Sequence, residues 1–183
     1  MRTAGRLFGV AVSMMVMAGV WAGSARARLS QSCRVDDEDI PLLVPACALI
    51  QRQGEQYLAS KYLNSSRLDF NSHGLAWLHL VDSGFVYVNR TGRIVIRDVS
   101  MMDNGADEFH HGLVRLQRGE KYGFADPKGR IVIPVHYDGA MNTDEDGASV
   151  CVGCKVQQSG EHSFFTAGQW FAVDARGRLR AER

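Results

Sequence analysis

The chain has no large excess of charge of either sign, few prolines and no biased tract. Its 183 residues include 21 Lys and Arg against 20 Asp and Glu, which gives a formal net charge of +1. A nucleic-acid binder needs a basic surface to offset the phosphates, so this balance argues against nucleic acid as a partner. With only 4 prolines and 19 glycines, a collagen-like or wholly disordered chain is also excluded.

The motifs of common catalytic sites are missing as well. The sequence has no G-x-S-x-G nucleophile elbow, no H-E-x-x-H zinc motif, no Walker loop and no G-x-G-x-x-G dinucleotide motif. We therefore expect a protein that is not an enzyme and that holds no cofactor.

Only one long apolar run occurs, and it lies at the N-terminus. Two arginines precede the uncharged run Leu7–Gly23, and the small residues Ala25 and Ala27 follow it. This layout is typical of a secretory signal peptide cleaved after Ala27; at 17 residues, an uncleaved membrane anchor is the alternative. We predict that residues 1–27 are a signal peptide. The remaining 156 residues, at a net charge of −2, would be periplasmic or secreted, with no transmembrane segment.

All four cysteines lie in the part predicted to be exported: Cys33, Cys47, Cys151 and Cys154. An even number of cysteines in an oxidising compartment favours disulfides over free thiols. Three pairings are possible, and we predict the two local ones, Cys33 with Cys47 and Cys151 with Cys154.

Three short segments of the second half share one form: apolar, Asn or Asp, two polar residues, Gly, Arg, apolar. They are Val88–Ile94, Ala125–Ile131 and Val173–Leu179. An Asn or Asp side chain opens a turn by bonding to nearby backbone, and Gly supplies the positive φ that closes it. Because β-branched and aromatic residues flank the first two segments, the pattern predicts hairpins.

A strand-like segment beginning with glycine precedes each turn, at Gly74, Gly112 and Gly147. The spacings of 38 and 35 residues indicate a repeated unit of three strands plus a connection. In the third unit about a dozen extra residues lie between Cys151 and Trp170. We expect the features specific to this protein to lie in that insertion.

The segment from Lys121 to Ala140 resembles the WG repeat, whose pattern is W/Y-G-F-x-D-x-x-G-x-x-V-I-P-x-x-Y-D-x-A followed by F-x-x-G-L-A. Phe70–Ala76 and Phe109–Leu113 match the last element. The resemblance implies a mainly β array of short antiparallel strands and hairpins, in about three units over residues 70–106, 107–143 and 144–183. The family has no agreed catalytic residue, so the resemblance implies no active site.

Residues 28–69 have a different pattern. An acidic stretch, Asp36–Asp39, is followed by two prolines that favour extended backbone. Apolar residues recur at near-helical spacing from Ala46 to Leu63, although Gly54 weakens a helix there. We predict an acidic, extended segment and then a small helix that covers one open end of the array.

The Cys151-x-x-Cys154 spacing permits two alternatives to a structural disulfide. One is a thiol-disulfide redox pair, although no helical pattern follows to lower a thiol pKa. The other is a zinc site in which His162 joins the two cysteines and Glu161 or Cys47 completes the set. We favour the structural disulfide, which requires a turn or bulge at the intervening glycine.

A second polar cluster comprises Asp103, Asp107, Glu108, His110 and His111. Carboxylates and imidazoles could act as acid and base or hold a metal. The cluster falls in the connection between two units, so we interpret it as a polar loop. The function we expect is that of an exported, non-enzymatic module that binds a protein or a component of the cell envelope.

Overall fold

The structure, a computed structural model, consists mainly of short antiparallel strands, which confirms the predicted fold class. It describes these parts of the chain: residues 33–37, 40–44, 47, 50–52, 54–63, 68–81, 83–102, 105–142, 147–160 and 162–180. The predicted signal peptide, residues 1–27, lies outside the described residues.

The first two repeat units are three-stranded meanders joined in one sheet. The first comprises β5 Leu75–Leu80, β6 Gly84–Asn89 and β7 Ile94–Val99, then the small pair β8 Met101–Met102 and β9 Gly105–Ala106; the second comprises β10 Val114–Arg118, β11 Lys121–Ala125 and β12 Ile131–Tyr137. The first strand of the second unit lies beside the last strand of the first, through Leu116 opposite Val99.

The third unit is built differently. The strand β13 Gly139–Asn142 continues from the second unit and pairs with β14 Gly147–Val152, which pairs with β17 Gln169–Asp174. The insertion forms a separate hairpin of β15 Lys155–Ser159 and β16 His162–Thr166. Instead of a third strand, a single bridge joins Leu179 to Val173.

The N-terminal segment differs from the prediction. It forms a hairpin of β1 Cys33–Asp37 and β2 Ile40–Val44, a hairpin of β3 Ile50–Arg52 and β4 Glu55–Tyr57, and the helix α1 Ser60–Leu63. Among the described residues of the predicted 46–63, helix is thus confined to Ser60–Leu63. Gly54 at φ +82° turns the chain back into a hairpin, and strand pairing overrides the helical spacing.

In the large sheet, the order of strands is β12-β11-β10-β7-β6-β5-β1-β2, so the N-terminal hairpin extends the first unit. Buried residues form three clusters in succession. The first joins the N-terminal segment to the first unit, the second joins units one and two, and the third joins units two and three. Each unit therefore buries its apolar face against a neighbour, as in other repeat proteins.

Candidate binding surface

The three repeated turns have the same backbone hydrogen bonds. In each, the glycine N–H donates to the carbonyl of the opening residue, Asn89, Asp126 or Asp174, at 2.8 to 2.9 Å. The side-chain Oδ1 of that residue accepts two more backbone N–H groups, from two and four residues on, at 2.8 to 3.0 Å. The N–H of the opening residue donates in turn to the carbonyl of the final arginine, at 2.8 to 3.0 Å. Each turn is thus closed by four bonds within five residues, which confirms the predicted role of Asn or Asp and Gly.

A fourth turn of this kind was missed in the sequence pattern. Asn71 accepts the N–H groups of His73 and Leu75 through Oδ1, at 3.0 and 3.1 Å, and its carbonyl accepts the Gly74 N–H at 2.9 Å. The same Asn-x-x-Gly spacing would have identified it. It shows that the motif also begins the first strand of unit one.

The turn glycines hold the repeat units against each other. A Cβ on Gly129 would collide with the carbonyl oxygen of Val95, and a Cβ on Gly177 with that of Val132. Each of these valines lies two residues beyond the arginine that ends the preceding turn. The turns at residues 89–93, 126–130 and 174–178 therefore lie side by side, and we call them the turn row.

The N-terminal segment occupies the corresponding position for the first turn. The Leu58 N–H donates to the Gly92 carbonyl at 2.8 Å, and a Cβ on Gly92 would lie 3.1 Å from the Leu58 carbonyl oxygen. Leu63 of α1 packs at the same place. Residues 58–63 therefore cover the first turn much as a preceding unit would.

The arginine that ends each turn is held by a carboxylate. Arg130 pairs with Asp126 at 2.6 Å and Arg178 with Asp174 at 2.7 Å, both inside their own turns. Arg93 instead pairs with Glu55 of β4, at 3.0 Å. Backbone N–H donation by Arg178, followed by its side chain, lowers the pKa of Asp174 to about 2.

Each turn also carries a second, exposed cation: Arg90, Lys128 and Arg176. None of the three forms an ion pair with a carboxylate in the described part of the chain. The Arg90 guanidinium lies over the ring of Phe70, 4.6 Å from its centroid.

The base of the insertion is cross-linked. The structure joins Cys151 to Cys154, and Cys33 to Cys47, which are the predicted pairs. Gly153 lies between the cysteines at φ +77° and provides the predicted turn, and its N–H donates to Asp138 at 2.7 Å. A Cβ on Gly168 would lie 2.5 Å from the Cys151 sulfur. The disulfide is thus packed between two turns.

The hairpin of β15 and β16 begins directly after Cys154 of this disulfide. Phe165 packs edge-on against Tyr122 and Trp170, with ring centroids 5.4 and 5.7 Å apart. Val156 and Phe164 remain 54% and 45% exposed. One aromatic ring therefore anchors the hairpin to the array, while its outer side presents apolar side chains to solvent.

The structure does not bring the proposed zinc ligands together. Both sulfurs of Cys151 and Cys154 are bonded to each other, and Cys47 is bonded to Cys33. His162 pairs with Ser159 at the far end of the hairpin, about 17 Å along the strand from Cys154. Glu161 lies outside the described residues. Within the described ranges, no group of three His, Cys, Asp or Glu side chains could hold a metal.

The Asp and His cluster between units one and two is also separated. Asp107 is buried and forms an ion pair with Arg115 at 3.3 Å, and the Asn142 amide donates to its carboxylate at 3.2 Å. Burial raises the pKa of Asp107, and the Arg115 charge opposes this rise. His110 and His111, like Glu108, are exposed, while Asp103 lies outside the described residues.

Asp107 thus lies in the connection between β9 and β10, as predicted, but it is buried and paired, which the sequence pattern did not indicate. Its partners lie on other elements: Arg115 on β10 and Asn142 on β13, 35 residues away. The Arg115 guanidinium also donates to the Ala140 carbonyl at 3.0 Å. This buried group ties the start of unit two to its first strand and to β13 at its end.

Two further observations concern partners. No helix among the described residues is long and apolar enough to cross a membrane. The family model of the WG containing repeat matches residues 122–153, from β11 through the turn between the cysteines, and confirms the predicted resemblance. No curated protein and no solved structure matches the chain.

Proposed function

Because the chain carries a WG repeat at residues 122–153, we propose that it is an exported, non-enzymatic module that binds a component of the cell envelope through its repeat surface. The observation that carries the proposal is the turn row. Three equivalent turns, each closed by its own hydrogen bonds, are packed side by side. Such a rigid surface is already ordered before a partner binds, which lowers the entropic cost of association.

Export is a part of this proposal that depends on the N-terminal sequence. The two disulfides are compatible with an oxidising compartment, where such bonds persist. The test is the mass of the protein recovered from cells: a chain beginning at residue 28 with four oxidised cysteines supports export. An intact Met1 with reduced cysteines would contradict it.

Binding itself is tested by sedimentation of the purified protein with isolated envelopes of a Gram-negative bacterium. We expect the protein to pellet with the envelopes in a saturable way. Two variants distinguish binding by the turn row from binding by the hairpin: one replaces Arg90, Lys128 and Arg176 by Gln, and the other is Phe164→Ser. If the wild-type protein stays in the supernatant at every envelope concentration, the proposed function is wrong.

A thiol-disulfide redox protein is the second candidate, because Cys151 and Cys154 form a bond at C-x-x-C spacing. Both cysteines are buried, at 0% and 9% exposure, so a partner thiol would reach the bond only after local opening. Alkylation after mild reductant tests this candidate: rapid labelling of both thiols would favour it. Native mass spectrometry of the same sample tests the zinc alternative, which requires one bound metal per chain.

A further inference from the structure

We propose that the turn row binds a linear anionic polysaccharide of the envelope. This inference rests on the proposed function and names its partner. The chemistry that would be recognised is a chain of sugars that carries well-separated carboxylate or phosphate groups.

The shape of the row suits a linear partner. Gly129 packs on Val95, two residues beyond the first turn, and Gly177 packs on Val132, two residues beyond the second. Two residues of extended strand plus one van der Waals contact place neighbouring turns about 10 Å apart. The three turns thus follow one another in steps of about 10 Å and span up to roughly 20 Å, a distance that a polymer can cover and a compact ligand cannot.

The charge of the chain is concentrated in this row. The 15 residues of the three turns contain six of the 21 basic side chains and two of the 20 acidic ones. The row therefore carries +4, and the rest of the chain carries −3. A protein that is nearly neutral as a whole has a positive surface that spans three repeat units.

Each turn has one cation that is available to a partner. Arg93, Arg130 and Arg178 are paired with carboxylates. Arg90, Lys128 and Arg176 are exposed and form no such pair within the described residues. They are carried on turns of fixed backbone, so only their side chains lose conformational freedom when they meet an anion.

The spacing favours a glycan over nucleic acid. Duplex DNA carries one charge per about 1.7 Å, and a binder must neutralise many of these. One unpaired cation per about 10 Å, on a protein whose remaining charge is negative, would neutralise few of them and would repel the rest. A polymer of lower charge density meets less repulsion.

The experiment measures binding of the purified protein to polygalacturonate, with fully methyl-esterified polygalacturonate and oligo(dT) as the comparison polymers. The row variant is Arg90→Gln, Lys128→Gln, Arg176→Gln. A control variant, Arg97→Gln, Arg118→Gln, Lys155→Gln, loses the same charge away from the row. Because each surface cation changes affinity for an anionic surface about fivefold, we expect the row variant to lose about 100-fold.

The expected results are salt-sensitive binding of the wild-type protein, no binding to the ester, and a loss in the row variant alone. The proposal is overturned if the control variant loses as much as the row variant, if the ester binds equally, or if oligo(dT) binds more tightly. Should the row variant still pellet with envelopes as the wild-type protein does, the turn row is not the binding surface and the partner named here is wrong, while envelope binding by the protein still stands.

Discussion

The first turn of the array and the two later turns share their backbone and differ in the partner of the final arginine. Asp126 and Asp174 hold that arginine with the carboxylate oxygen that the backbone does not use. Because the Asn89 side chain is uncharged, Arg93 pairs instead with Glu55 of the N-terminal segment. The turn geometry thus requires only a side-chain oxygen and a glycine, whereas the charge decides which element the arginine joins.

The packing beneath the turns also differs between the first turn and the two later ones. Gly129 and Gly177 rest on strand backbone of the preceding unit, which cannot move without breaking the sheet. Gly92 rests on the Leu58 backbone and on the Leu63 side chain, with the nearest atom 3.0 Å from a Cβ position. The N-terminal segment therefore takes the place of a preceding unit, but part of its contact with the turn glycine is a side chain that can move.

The largest expected effect comes from adding a methyl group at these glycines. Gly129→Ala should lower the free energy of unfolding by about 3–4 kcal/mol, because positive φ costs about 1–2 and displacement of packed backbone about 1–3. Gly92→Ala should cost less, because the Leu63 side chain can shift. Urea denaturation measures both changes.

The control for this series is Gly119→Ala, at φ +58° with no atom within 4 Å of the added Cβ. It should cost only the backbone strain, about 1–2 kcal/mol. If Gly129→Ala costs no more than this control, the turns are not packed on the preceding strands as described.

The N-terminal disulfide should matter nearly as much. Replacing both Cys33 and Cys47 by Ala removes a cross-link between residues 14 apart and should cost about 3 kcal/mol. The bond between Cys151 and Cys154 closes a much shorter loop, so replacing these two residues by Ala should cost only about 2 kcal/mol. Hydrogen exchange of the Leu58 N–H should accelerate in the first variant alone, since this group bonds to the first turn.

A smaller effect distinguishes the roles of the two carboxylate oxygens of Asp126. Asp126→Ala loses the acceptor of two backbone N–H groups and should cost about 1–2 kcal/mol. Asp126→Asn keeps that acceptor and loses only the ion pair to Arg130, worth about 0.5 kcal/mol. Equal losses in the two variants would mean that the ion pair, and not the backbone bonding, stabilises the turn.

The smallest effect is a difference in pH dependence between the turns. Backbone and side-chain bonds from Arg178 lower the pKa of Asp174 to about 2, while Asn89 does not titrate. The stabilisation by Asp174 is fully present above the ordinary Asp pKa of about 4 and is lost as the pH falls through 2. Carboxyl NMR titration should give this midpoint, and Asp174→Asn should flatten the fall in stability below pH 4. A midpoint near 4 would contradict the turn bonding.

A charge exchange sharpens the comparison further. In an Asn89→Asp variant, we expect Arg93 to bind the new carboxylate, as its counterparts do. The coupling between Glu55 and Arg93, measured by a double-mutant cycle, should then disappear. Coupling that persists would show that the N-terminal segment, and not the residue at position 89, selects the partner of Arg93.

Prediction from sequence worked where contacts are local and failed where they are not. The turns, the strands beside them and the disulfide between Cys151 and Cys154 involve residues within a few positions of one another. The predicted helix over 46–63 failed because a bridge between Tyr57 and Arg93 fixes β4 as a strand. The burial of Asp107 was not predicted because Asn142, which donates to it, comes 35 residues later.

The sequence by itself determined the turn chemistry, since Asn or Asp, Gly and Arg at fixed spacing close their hydrogen bonds within five residues. Only the tertiary structure decided that these turns stand side by side, that Glu55 pairs with Arg93, and that the unpaired cations form one row. The physical reason is separation along the chain. Contacts between residues 34 or 38 apart, as between Val95 and Gly129 or Glu55 and Arg93, depend on how whole units pack, and no local pattern specifies that packing.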